Sequence, residues 1–141
     1  MENTCSLSGL GSISCGESRG VARIVNIAEC NEDVCTHLRS CHLSRLHINE
    51  CELILARAGH FNLSQEQKHN MTVCQRHRDH LGRYFRPLRA CQYPVHDGPT
   101  RKCSGRDVIN ITISQDCLKL YGVLIQIGSR KYYFIYILTF I

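Results

Sequence analysis

Two Cys and two His residues form two close pairs in the middle of the chain. Two residues separate Cys74 from His77, four separate Cys91 from His96, and thirteen lie between the pairs. A tetrahedral Zn²⁺ site takes such ligands, because each pair holds the ion from one local element while the spacer lets the chain fold back. The spacing therefore predicts a zinc site with Cys74, His77, Cys91 and His96 as its ligands. The alternative is chance proximity, since the chain has ten Cys and eight His.

Local signals predict how the first pair is presented. Thr72 and Gln75 match a capping box, and Gly82 stands where a helix commonly ends. A helix over residues 73–81 would place Cys74 and His77 three residues apart on one face. The Pro and Gly residues around the second pair predict a turn that aims both side chains inward.

The wider pattern resembles a known kind of domain. The chain combines CxxH, an LG dipeptide, a basic and aromatic spacer and CxYPxH, and a Val/Ile-rich segment ending in GVLIQIGS follows. In these features, over roughly residues 30–129, it resembles uncharacterised Cys/His-rich zinc-binding domains of predicted animal proteins. The resemblance implies zinc binding without a known activity. Such domains continue with another close Cys pair, so the resemblance also implies a domain truncated at its C-terminal end.

Composition favours cross-links over a large aromatic core. The chain of 141 residues has no Trp and four Phe beside its ten Cys, so metal or disulfide bonds are expected to supply order. The N-terminus lacks the basic start and apolar run of a secretory signal, which favours an intracellular, nuclear or cytoplasmic protein with free or metal-bound thiols. The alternative is a secreted, disulfide-linked protein, because three Asn residues match the glycosylation pattern: Asn62, Asn70 and Asn110.

The chain divides into three parts by composition. Residues 1–20 are rich in Ser and Gly and are expected to form a flexible leader, so Cys5 and Cys15 are the cysteines least expected to bind metal. Residues 21–129 carry the Cys/His-rich domain. Residues 130–141 form an atypical apolar tail, which is too short to cross a bilayer. We therefore expect no membrane partner.

A second Cys-rich region precedes the central stretch. Cys30 and Cys35 lie close together, with more Cys and interleaved His residues following. Such a donor-rich segment makes Cys30 and Cys35 candidates for a second metal site. The alternative is that these cysteines are buried as small apolar residues on a helix face.

The hydrophobic pattern predicts a small α+β fold of short helices and a two-stranded β-sheet. Asn49 with Glu52 predicts a capped helix over residues 50–58, and Ser64 with Gln67 predicts a further helix start. Residues 108–113 and 123–127 alternate or are rich in aliphatic side chains, which predicts two strands that pack against the helix of Cys74. A short helix from Ser114 to Tyr121 should lie between them and end at Gly122.

The residues around the predicted zinc site do not indicate catalysis. Catalytic zinc keeps an open position and usually has a carboxylate nearby, whereas only Asp79 and Asp97 lie in this stretch and neither forms a HExxH or HxE arrangement. We therefore expect a binding role and no enzyme activity.

The spacer between the two pairs is basic and aromatic. Arg side chains contact phosphates and aromatic rings stack on bases, so this composition predicts binding to nucleic acid or chromatin. The candidate residues are Arg76, Arg78, Arg83, Tyr84, Phe85, Arg86 and Arg89. The alternatives are a solvated basic face or a scaffold that binds an acidic protein partner and uses zinc only to fold.

Overall fold

The structure is a computed structural model that describes residues 4–9, 13–87 and 108–129. Within these residues the chain forms five short helices and a two-stranded antiparallel sheet, which confirms the predicted α+β class. The elements in chain order are β1 (Ile24–Asn26), a 3₁₀ turn (Ile27–Glu29), α1 (Cys35–Ser40), α2 (Glu50–Arg57), α3 (Gln65–His69), β2 (Thr72–Cys74), α4 (Gln75–Leu81) and α5 (Ile111–Tyr121). None of the helices in the described ranges is long and apolar enough to span a membrane.

The sheet is built from other residues than the sequence predicted. β1 pairs with β2, with Ile24 opposite Cys74 and Asn26 opposite Thr72. The strands predicted over 108–113 and 123–127 are wrong: Val108 forms only an isolated bridge, and residues 123–127 are not a strand. The short segments 24–26 and 72–74 contain β-branched residues, which favour β-strands. Their hydrophobic residues alternate too weakly to predict a strand.

Helix α5 explains why the first of those strands is absent. The side chain of Asn110 accepts a hydrogen bond from the backbone N–H of Ile113 at 2.9 Å, so Asn110 is the N-cap and the helix begins at Ile111. The predicted start at Ser114 is therefore three residues late. The predicted end is confirmed, because Gly122 takes the left-handed conformation with φ 66° directly after Tyr121.

Helix α2 is the centre of the core. The predicted capping box is present, since Asn49 and Glu52 each accept from the other's backbone N–H. Side chains on opposite sides of this helix enter two hydrophobic clusters. One cluster contains Cys51, Ile54, Leu55 and Ala58, and the other contains Leu53 and Ala56.

The N-terminal segment packs more closely than a flexible leader would. The backbone N–H of Ser6 donates to the carbonyl of Thr72 at 2.8 Å, and the N–H of Thr72 donates to the Ser6 hydroxyl at 2.9 Å. Cys5 and Leu7 are buried in the same cluster as β2. Residues 4–9 therefore run beside β2, and the division of the chain into leader, domain and tail stays a prediction.

Arg57, at the end of α2, is a fully buried cation that joins distant segments. Its guanidinium donates to the backbone carbonyls of Leu81, Gly82 and Ile127 at 3.0 to 3.1 Å and stacks on the Phe85 ring at 3.9 Å. Burial lowers its pKa to about 10, which leaves it charged at neutral pH. No carboxylate is paired with it among the described residues, so carbonyl dipoles stabilise the charge instead.

We predict that Arg57→Lys lowers the free energy of unfolding by roughly 2 to 3 kcal/mol. A lysine presents one compact ammonium in place of a planar fork, so buried carbonyls are left without donors. Urea unfolding followed by circular dichroism measures the change. The exposed Arg45 provides the matched control, because Arg45→Lys should change stability by less than about 0.5 kcal/mol. Equal effects of both substitutions would contradict the structural role of Arg57.

Candidate metal centre

Four potential metal ligands converge beside β2 and the start of α4. The ligand atoms of Cys5, Cys15, Cys74 and His77 all lie within 4.8 Å of one another, and we call these four residues the cysteine–histidine cluster. Cys5, Cys74 and His77 are buried and Cys15 is exposed. In the part of the chain that the structure describes, this is the one group of three or more Cys, His, Asp or Glu side chains with such geometry.

Cys74 and His77 meet at the beginning of helix α4. The helix starts at Gln75, so Cys74 is its N-cap and lies outside the helical face on which it was predicted. The Cys74 sulfur accepts from the backbone N–H of His77 at 3.4 Å and lies 3.1 Å from the His77 Nδ1 atom. Thr72, predicted to begin this helix, belongs to β2. The two side chains are nevertheless brought together as the sequence indicated.

Cys5 reaches the cluster because the N-terminal segment lies along β2. Its sulfur accepts from the backbone N–H of Cys74 at 3.3 Å and lies 3.7 Å from the His77 Nδ1 atom. Cys15 approaches from a separate loop, with its sulfur 3.6 Å from the same nitrogen. Arg76 fixes that loop, since its guanidinium donates to the Ser14 hydroxyl at 2.9 Å and to the Glu17 carbonyl at 3.1 Å.

The distances within the cluster suit a tetrahedral zinc ion. Zn–S bonds of about 2.3 Å and Zn–N bonds of about 2.0 Å at tetrahedral angles separate sulfur from nitrogen by about 3.5 Å. The three sulfur to Nδ1 distances here, 3.1, 3.6 and 3.7 Å, lie around that value. The donor set, three thiols and one imidazole, is one that zinc commonly occupies. Nε2 of His77 is buried without a hydrogen-bond partner in the described chain, so Nδ1 is the nitrogen directed at the sulfurs.

Two thiols of the cluster differ in how readily they ionise. Burial alone would raise the pKa of Cys74, but hydrogen bonds from the backbone of His77 and Gly16 and from the side chains of His77 and Cys5 outweigh it and lower the pKa to about 6. Burial raises the pKa of the neighbouring Cys5 to about 11. One thiol therefore ionises readily, while ionisation of the next is opposed unless a positive ion compensates the charge.

The cluster and the ligand set predicted from sequence share two members. Cys91 and His96 lie outside the described residues, so their part in metal binding stays a prediction. The candidate second site also stays a prediction: Cys30 is buried, Cys35 is exposed, and neither belongs to a group of three or more donors among the described residues. Burial of Cys30 in the core cluster agrees with the alternative that it acts as an apolar residue.

Cys5 and Cys15 are the members that sequence reasoning set aside. Their Ser- and Gly-rich surroundings indicated a leader, and their distance along the chain from Cys74 concealed the pairing with β2. The glycine directly after Cys15 was the one feature of the sequence that indicated a closely packed loop at this cysteine. Gly16 has φ 153°, and a Cβ there would lie 3.1 Å from the Arg76 guanidinium, so a glycine permits the close packing of this loop.

The basic spacer separates into structural and exposed residues. Arg78 forms a buried bidentate pair with Glu50 at 2.8 and 2.9 Å, and Arg76 holds the Cys15 loop. Both are therefore engaged within the fold. Arg83, Tyr84 and Arg86 follow the helix and are half-buried or exposed. Arg89 lies outside the described residues.

These exposed residues line a groove of about 860 Å³, which we call the basic groove. It also receives Arg19 from the Cys15 loop and the imidazoles of His37 and His80. His80 is exposed and does not belong to the cysteine–histidine cluster. No acidic residue lines the groove in the described chain. The described lining consists of Ile13, Ser18, Arg19, His37, Ser40, His80, Arg83, Tyr84, Phe85 and Arg86.

Comparisons with known proteins identify no relative. The chain matches no protein-family model, no curated protein and no solved structure. The resemblance to Cys/His-rich domains of animal proteins therefore stays a prediction, and the site has to be interpreted from its own geometry.

We predict that Cys5→Ser and Cys15→Ser each remove zinc from the protein purified under reducing conditions. Each substitution takes one bond from a site whose binding energy is largely folding energy, so zinc content should fall from about one equivalent together with cooperative unfolding. Metal analysis after gel filtration measures this. Cys35→Ser, at an exposed cysteine outside the cluster, is the matched control and should retain zinc. Loss of zinc from Cys91→Ser but not from Cys5→Ser would restore the ligand set predicted from sequence.

We also predict an acid-dependent loss of stability from His37. Arg57 donates to His37 Nε2 at 2.8 Å, and burial followed by the Arg57 charge lowers the pKa of His37 to about 4. The histidine of the unfolded chain titrates near its ordinary pKa of 6.5. The contribution of neutral His37 to the free energy of unfolding is therefore complete above pH 6.5 and is lost as the pH falls toward 4. The slope in this window reaches at most about 1.4 kcal/mol per pH unit.

His37→Gln should flatten that slope, since a glutamine amide can accept from Arg57 without titrating. Denaturant unfolding at a series of pH values measures it in both proteins. An unchanged slope in the variant would show that other groups cause the acid sensitivity.

Proposed function

We propose that this chain is a zinc-stabilised module whose role is to bind nucleic acid. The observation that carries the metal assignment is the convergence of Cys5, Cys15, Cys74 and His77 within 4.8 Å. Four protein donors complete a tetrahedral shell, which is typical of a structural zinc site. Zinc would then join the N-terminal segment, the Cys15 loop and α4 into one unit.

A binding role suits the surroundings of the cluster better than catalysis. The carboxylate nearest along α4 is Asp79, which is buried and already held by Arg19 at 2.8 Å and by the Gln75 amide at 3.0 Å. A carboxylate engaged in this way is poorly placed to transfer a proton. We therefore propose no enzymatic activity for the site.

The basic groove supports nucleic acid as the partner. Arg19, Arg83 and Arg86 bring positive charge to one concave surface, and Tyr84 offers an aromatic ring that is 46% exposed. Guanidinium groups bind phosphates and an exposed ring can stack on a base, so the groove has both elements of single-strand recognition. The protein would act inside the cell, where a reducing environment keeps thiolates available to the metal.

The competing function is a scaffold that binds an acidic protein. The same arginines could pair with carboxylates of a partner, and zinc would then serve folding alone. The Tyr84 ring is 46% exposed beside these arginines, and the Arg19 guanidinium lies over it at 4.4 Å from the centroid. The part of the ring that stays exposed favours nucleic acid, because an acidic peptide does not require an aromatic ring for stacking.

We predict that the zinc-loaded protein binds a labelled oligothymidylate with an affinity that falls steeply as salt rises. Each phosphate contact contributes a slope of about 0.7 in the logarithm of affinity against the logarithm of salt for a single strand. Arg86→Ala should weaken binding and reduce the slope by about that amount. Tyr84→Ala should weaken binding by roughly 1 to 3 kcal/mol with little change in slope, because it removes stacking and no charge.

Arg45→Ala is the control for a general loss of charge, since Arg45 is exposed but does not line the basic groove. Zinc content and unfolding of each variant should match the wild type. Equal weakening by Arg45→Ala and Arg86→Ala would show non-specific attraction to a basic protein. Absence of salt-dependent binding in the zinc-loaded wild type would favour the protein scaffold.

A further inference from the structure

The loop that carries Cys15 also carries Arg19, and it therefore connects the cysteine–histidine cluster to the basic groove. Cys15 contributes its sulfur to the cluster, while Arg19, four residues later, lines the groove. Few atoms separate the two ends, so the loop cannot change its position at one end without a consequence at the other.

The conformation at Arg19 is costly and is imposed by this loop. Ser18 and Val21 exchange backbone hydrogen bonds at 2.9 and 3.0 Å, which closes a tight turn over Arg19 and Gly20. Arg19 has φ 52° and Gly20 has φ 75°. A turn with positive φ at both central positions favours Asn, Asp or Gly, so an arginine here is unusual. Such strain persists where the surrounding structure holds the residue in place.

Two contacts hold the Arg19 side chain over the groove. Its guanidinium forms a bidentate pair with Asp79 at 2.8 and 3.2 Å and lies over the Tyr84 ring at 4.4 Å from the centroid. Asp79 is on α4, two residues after His77 of the cluster. The side chain of Arg19 remains 44% exposed, so it can still meet a phosphate.

We propose that metal binding at the cysteine–histidine cluster controls the affinity of the basic groove for single-stranded nucleic acid, through the loop from Cys15 to Arg19. The metal fixes Cys15 against α4 at one end of the loop, and Asp79 of the same helix fixes Arg19 at the other. Without metal the loop loses its attachment through Cys15 and is held there by its hydrogen bonds to Arg76, so Arg19 is fixed over Tyr84 less tightly. This inference rests on the proposed function and adds a regulator to it.

Thermodynamic linkage supplies the test. If metal favours nucleic-acid binding, nucleic acid must favour metal binding by the same factor. The zinc affinity of the full chain is measured by competition with a chromophoric chelator, with and without a saturating oligothymidylate. We expect the strand to tighten zinc binding about tenfold in the wild type, within the usual range of such couplings.

Two arginine variants separate the loop from the rest of the groove. Arg86→Ala removes a groove cation outside the loop, so it should weaken strand binding but keep the coupling factor. Arg19→Ala should bring the factor close to one. Asp79→Asn releases Arg19 from α4 while keeping the guanidinium, so it should also reduce the coupling factor. If Arg19→Ala binds the strand too weakly for saturation, the coupling factor of Asp79→Asn tests the inference in its place.

The outcomes distinguish this inference from the proposed function. Failure of the zinc-loaded wild type to bind the strand would refute the proposed function and the inference with it. Binding with an equal coupling factor in wild type, Arg86→Ala, Arg19→Ala and Asp79→Asn would leave the proposed function in place. It would overturn the inference alone, because zinc would then act by folding the whole domain and not through this loop.

Discussion

Three cysteine sulfurs and one imidazole meet beside β2 and the start of α4, in an arrangement that can hold a metal ion. Cys5 and Cys15 come from the N-terminal region, and Cys74 and His77 from the junction of β2 and α4. Closing the chain over that distance costs conformational entropy, which grows slowly with loop length. The free energy of binding a metal to all four donors would offset that cost and stabilise the fold. Hydrogen bonds between Ser6 and Thr72 also hold residues 4–9 along β2, and hydrogen bonds from Arg76 hold the Cys15 loop.

Helix α4 connects this cluster to the rest of the fold, although it has only seven residues. The N-terminal end of the helix presents Cys74 and His77. In the middle of the helix, Arg78 pairs with Glu50 and Asp79 pairs with Arg19. Its C-terminal end offers the carbonyl of Leu81 to the buried Arg57. A helix this short has little stability alone, so tertiary contacts at each end must maintain it. A change in the cluster would therefore affect the tertiary contacts along the whole helix.

Some local signals in the sequence predicted the structure correctly, whereas others did not, and the long-range contacts were not predicted. Asn49 with Glu52 predicted a capped helix correctly, because both partners lie within one turn. The alternation of Ile109, Ile111 and Ile113 predicted a strand wrongly, since one hydrogen bond from Asn110 starts a helix whose buried face also needs aliphatic residues. Cys5 could not be assigned, because its neighbour Cys74 lies 69 residues away and no local pattern records that contact.

The arginines of the central stretch look alike in the sequence, and the fold divides them by the partners it provides. Arg78 enters the interior because Glu50 accepts both of its N–H groups there. After α4 the chain turns at Gly82, where a Cβ would lie 2.6 Å from the carbonyl oxygen of Arg78, so only glycine allows this turn. Arg83 follows the turn, and among the described residues it meets the exposed carboxylate of Glu32 at 3.5 Å and the Tyr84 ring at 5.5 Å from the centroid. A charge paired so weakly costs little to release to a ligand. Among the described residues after the helix, Arg83 and Arg86 therefore remain partly or fully exposed, whereas Arg78 is held by a buried carboxylate.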